Sequence, residues 1–71
     1  MNVLKFHKTL YAGEAVDAAM RRFERFATFE TEDDASHWVV RVQARRAEQQ
    51  ATLERELANF ALGLTAERGG P

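Results

Sequence analysis

The sequence contains no cysteine, only one proline and four glycines among 71 residues, no surplus of either charge and no long apolar run. Without cysteine there is neither a disulfide framework nor a thiolate metal centre. The two histidines, His7 and His37, stand far apart, so no histidine-rich metal motif takes their place. Ten basic and eleven acidic side chains leave a formal net charge of −1, which gives no global attraction to nucleic acid or to an anionic membrane. Near the N-terminus Lys5, His7 and Lys8 interrupt the apolar residues, a pattern of neither a signal peptide nor a membrane span. The expected setting is cytoplasmic, in keeping with the missing cysteines. A single domain over residues 1–71 buries only about 60% of the surface its unfolded chain exposes. Association with another chain is then the remaining common means of adding stability.

What is present is pattern. Leu53, Leu57, Phe60 and Leu64, with Ala61 beside them, recur at helical spacing and make one apolar stripe. After Arg46 no residue breaks a helix before Gly63, and residues 68–71, with Gly69-Gly70-Pro71, are expected to fray as a tail. Leu4, Phe6 and Leu10 fall on one face of an extended segment, which predicts a first strand over Val3–Thr9. From Gly13 to about Ala27 the residues Val16, Ala19, Met20, Phe23 and Phe26 or Ala27 follow helical spacing. Acidic residues come early in that helix and arginines late, as its dipole favours. Thr28–Glu32 alternates as a second strand, and Asp33-Asp34-Ala35-Ser36 supplies turn chemistry. In the run that follows, Trp38, Val40, Val42 and Ala44 share one face, while His37, Val39, Arg41, Gln43 and Arg45 share the other.

The order β-α-β-β-α predicts an α+β two-layer sandwich. A right-handed crossover followed by a hairpin puts the third strand in the middle of a three-stranded antiparallel sheet, with both helices on one face. This is a ferredoxin-like fold lacking its last strand. The outer edge of the first strand thereby loses a neighbour, and an unpaired edge is either protected or used.

Candidate chemistry is sparse. His7 and His37 fall on the face away from the helices. With a carboxylate they could hold a metal if their strands are neighbours, but the ligands are too few, and neither a metal nor a cofactor is expected. Ser36 beside His37 is badly placed as nucleophile and base unless the turn bends the two together, because successive strand residues point to opposite faces. No catalytic residue is expected. The acidic group Glu30, Glu32, Asp33 and Asp34 lacks the glycine and ligand spacing of a calcium loop. Trp38 and Phe29 could stack nucleic-acid bases, but Trp38 shares its face with Val40 and Val42, the pattern of a core.

Three stretches carry a resemblance to a known family. They are Leu10-Tyr11 with Glu14-Ala15-Val16, Ala18-Ala19 and Arg22-Phe23; Trp38-Val39-Val40-Arg41-Val42; and Glu56-Leu57-Ala58-Asn59-Phe60-Ala61-Leu62. In these the chain resembles the His-Xaa-Ser system protein HxsD family, small proteins encoded with radical SAM enzymes. The resemblance implies a non-enzymatic accessory that assists maturation of a ribosomally made peptide, binding the precursor peptide, the radical SAM maturation enzyme, or both. The expected contact is the free edge of the first strand or the sheet face away from the helices, with Lys5, Phe6, His7, Val39 and Arg41 as partner-binding residues. The alternative is a structural subunit of a larger complex that homodimerises through the same edge or through the helical stripe.

Overall fold

A two-residue repeat over His37–Ala44 and a four-residue repeat from Leu53 to Thr65 organise the fold. The structure, a computed structural model, describes residues 2–71. Their elements are β1 (Asn2–His7), α1 (Gly13–Arg22), β2 (Ala27–Asp33), β3 (His37–Ala44), a 3₁₀ turn (Ala47–Gln49) and α2 (Gln50–Glu67). The sheet order is β1-β3-β2 and both pairings are antiparallel. It is the expected α+β arrangement with the third strand central. On the inner face Val40 lies between Leu4 and Thr31, and Val42 between Asn2 and Phe29. Phe6, Val16, Ala19, Val40, Leu57 and Ala61 form the main core. A second cluster of Ala27, Val42, Ala44 and Leu53 continues it toward the start of α2.

The elements end sooner or later than their side-chain patterns suggest, for identifiable reasons. β1 stops at His7 rather than Thr9, because the His7 carbonyl accepts the N–H groups of both Leu10 and Tyr11 and turns the chain. Helix α1 ends at Arg22 instead of near Ala27. Tight hydrogen bonds, among them Phe26 N–H to the Phe23 carbonyl at 2.9 Å, fold the segment back so that Ala27 can pair with Ala44. The Phe23 ring then packs edge-on against Phe60, with centroids 5.9 Å apart, and Phe26 is left exposed.

In α2 the fully covered stripe is Leu53, Leu57, Ala61 and Thr65, with Phe60 and Leu64 half-buried beside it. Thr65 sits in that stripe because its hydroxyl is used twice. It accepts the Ala12 N–H at 3.1 Å and donates to the Ala61 carbonyl at 2.8 Å. Gly63 does not interrupt the helix. The helix ends at two glycines in the left-handed region, Gly69 and Gly70, whose N–H groups bond to the carbonyls of Ala66 and Thr65. This Schellman closure, with Arg68 paired to Glu14 at 3.5 Å, ties down the tail that was expected to fray.

Two further contacts join the layers. The Gln50 amide accepts the Ala44 N–H at 2.7 Å and donates to the Val42 carbonyl at 3.1 Å. It takes the place of a β1 residue one ladder step beyond Asn2. At the opposite end the Trp38 indole N–H donates to the Tyr11 carbonyl at 3.1 Å. Its ring lies against Gly13, where an added Cβ would come within 2.8 Å of Trp38 Cζ2. Among the described residues, no helix is long and apolar enough to cross a membrane.

Candidate functional site

Helix α1 has only ten residues, and it buries Ala15, Val16 and Ala19 toward the core. It does not cover the whole inner face of β2, and Thr31, on that face opposite Val40, is exposed. Between α1 and this part of the sheet lies an open cleft of about 650 Å³, with Trp38, Val40, Val16 and Met20 among its apolar lining. Glu14 and Asp17 rim it on the helix side, and Glu32 and Asp33 on the strand side. These carboxylates pair with Arg68, Arg21, Arg41 and Lys8 respectively. The Lys8 ammonium also stands 4.5 Å from the centre of the Trp38 ring and donates to the Asp34 carbonyl at 2.7 Å.

The hydrogen-bond phase decides which backbone groups are free. Arg45 N–H bonds to the Phe26 carbonyl and Asp34 N–H to the His37 carbonyl. Bonded pairs alternate in an antiparallel ladder, so the N–H and C=O groups of Phe29, Thr31 and Asp33 point away from β3. They line the free edge of β2, directly beside the cleft. Likewise the bond from Lys8 N–H to the Ser36 carbonyl directs the backbone groups of Val3 and Lys5, and the N–H of His7, to the free edge of β1, the His7 carbonyl being taken by Leu10 and Tyr11.

Of the residues expected to contact a partner, Lys5, His7 and Arg41 are exposed. Phe6 and Val39 are not, and this corrects their assignment. Phe6 is 3% exposed within the core, and its ladder position turns its backbone groups toward Trp38. Val39, on the outer face, is only 7% exposed. It stands between Lys5 and Glu32, long side chains whose methylene stems are suited to cover an apolar neighbour. The Arg41 guanidinium donates to Glu32 Oε1 at 2.9 Å, and this bond holds its pKa above the ordinary arginine value.

The turn between β2 and β3 does bend Ser36 and His37 together. Ser36 Oγ is 2.8 Å from His37 Nδ1, and Asp34 Oδ1 is 3.6 Å from the same nitrogen. A Ser-His-Asp relay uses the two imidazole nitrogens separately, one for each partner; here both partners meet Nδ1. Asp34 acts as a turn cap, its Oδ1 accepting the N–H groups of Ser36 at 2.8 Å and His37 at 2.6 Å. Those two bonds lower its pKa below the usual aspartate value.

His7 and His37 do become neighbours, directly opposite in register with ring centroids 4.7 Å apart. Among the described residues no group of three or more histidine, cysteine, aspartate or glutamate side chains is placed to hold a metal. The cleft is not legible in the sequence because it depends on how α1 sits beside β2. The one trace it leaves in the sequence is polar Thr31 and Asp33 at alternate positions that should face the helices. No family model, curated protein or solved structure matches the chain.

Proposed function

We propose that the protein is a non-enzymatic binding module that receives an extended peptide as an added strand on the edge of β2. The observation that carries this reading is the coincidence of the free backbone groups of Phe29, Thr31 and Asp33 with the apolar cleft beside them. Backbone pairing supplies affinity, and alternate peptide side chains would enter the cleft near Trp38, Val40 and Met20. Such a peptide has apolar residues at every second position. The edge of β1 has free backbone groups too, but the cleft lies beside β2, which makes β2 the better edge for a peptide.

The resemblance to the HxsD family supports placing the module beside a radical SAM enzyme, presenting a ribosomally made precursor peptide for maturation in the cytoplasm. A radical SAM gene and a gene for a short peptide are the expected neighbours of this one. Binding itself is tested by selecting from a displayed library of random peptides on the whole protein and mapping amide shifts with an enriched sequence. Shifts should centre on Phe29, Thr31, Asp33 and Trp38. Thr31→Pro removes an outward donor without removing a ladder bond and should weaken binding at least about tenfold, whereas Lys5→Pro on the other edge should not. Shifts confined to β1 or α2, or no enrichment, would overturn the proposal. Concentration-dependent self-association through the edge, abolished by Thr31→Pro, would favour the structural homodimer instead.

A further inference from the structure

We infer that His7 and His37 form a solvent-open bis-imidazole site for one divalent transition-metal ion of the kind that prefers nitrogen ligands, such as zinc, nickel or copper. The bond from Lys8 N–H to the Ser36 carbonyl makes that pair, and in alternation Phe6 with Trp38, hydrogen-bonded. His7 and His37 between them occupy a non-hydrogen-bonded position, where cross-strand side chains approach most closely. Their ring centroids are 4.7 Å apart with planes inclined at 68°. Two nitrogens on one tetrahedral ion stand roughly 3.3 Å apart, and binding would require rotation of the rings about their side-chain bonds to bring the two Nε2 atoms to that separation.

Each ring also has a partner for its other nitrogen. His7 Nδ1 lies 2.8 Å from Thr9 Oγ1, and His37 Nδ1 lies 2.8 Å from Ser36 Oγ. Hydroxyls that accept an Nδ1 proton hold the ring and leave the Nε2 lone pair for the ion, the usual arrangement around a ligating histidine. Asp34 Oδ1, 3.6 Å from His37 Nδ1, favours that tautomer. The Thr9 N–H, 3.3 Å from His7 Nδ1, opposes it, and this bond is given up when the ion binds. Water completes the coordination, so the site is weak and exchangeable. It lies on the outer face of the sheet, whereas the cleft opens on the inner face beside β2, and it does not depend on peptide binding there.

The test is a titration of the whole protein with zinc chloride in a non-chelating buffer, followed by calorimetry and by the imidazole resonances. One ion per chain should bind, both rings should shift together, and the melting temperature should rise because the ion links β1 to β3. His7→Ala and His37→Ala, both at exposed or half-exposed positions, should fold and should each weaken binding at least about tenfold. Absence of saturable binding would overturn the inference. So would unchanged affinity in either variant, or one ion per two chains, since each shows that the two rings do not chelate together.

Discussion

Gly13→Ala should destabilise the protein even though its backbone accommodates alanine. Gly13 opens α1 and is not among the glycines with positive φ, so exchange for alanine in an open position would favour the helix by up to about 1 kcal/mol. What opposes it is Trp38. The new Cβ would stand 2.8 Å from Cζ2 and 3.0 Å from Cη2, and the indole has little freedom to retreat. Its N–H is bonded to the Tyr11 carbonyl, and Lys8 lies over its ring. Overpacking of this kind costs about 1–3 kcal/mol, leaving a net loss of up to about 2 kcal/mol. For a domain of this size that lowers the melting temperature by up to about 15 °C. Gly63→Ala is the internal control, because nothing lies within 4 Å of a Cβ built there, and it should raise the melting temperature by about 2–8 °C. Both shifts are read by thermal denaturation followed by circular dichroism. A Gly13→Ala protein as stable as Gly63→Ala would refute the reasoning. A double-mutant cycle gives a second check, since the penalty at Gly13 should largely vanish in a Trp38→Phe background.

Thr65→Val keeps the shape of the side chain but strands the Ala12 N–H, and should lose about 1–3 kcal/mol by denaturant titration, whereas Thr65→Ser should retain most of the wild-type midpoint. Leu57→Ala, at a fully covered position, should lose about 2–5 kcal/mol, enough to unfold so small a domain. Phe60→Ala should cost less in the same assay, because that ring is only half-buried. Asp34 has a folded-state pKa below its unfolded value, so its contribution is complete above the ordinary aspartate range and is lost as pH falls through the depressed folded value. Stability measured from neutral pH into acid should therefore fall off below about pH 4, and Asp34→Asn, which keeps the accepting oxygen and removes the charge, should flatten that part of the profile.

The central position of β3 was legible from the element order, because a right-handed crossover followed by a hairpin leaves the third strand in the middle. Its inward face was legible from the alternation of Trp38, Val40, Val42 and Ala44 with His37, Arg41 and Gln43. The core role of Leu53, Leu57 and Ala61 was legible for the same kind of reason, being a matter of local spacing. Features decided by distant partners were not. Thr65 reads as an exposed polar residue until the Ala12 N–H is brought to it, and Gln50 reads as a surface amide until β3 ends beside it. Val39 reads as an exposed valine, yet it is buried between Lys5 and Glu32 of the two flanking strands. The cleft lies between α1 and β2, and beyond polar Thr31 and Asp33 on the inner face only the packing of the two elements reveals it.

The Gln50 amide has a consequence for how the structure opens. The Ala44 N–H faces the β1 side of the sheet, beyond Asn2, and its acceptor is carried by a helix. Protection of that one amide against exchange with solvent deuterium therefore does not report strand pairing. It reports whether the first turn of α2 is seated on the sheet. Neighbouring amides such as Val42, held within the ladder, require separation of strands before they exchange. Comparing the two exchange rates in one experiment would separate lifting of the helix from opening of the sheet, and would show whether the two layers come apart as one unit or in succession.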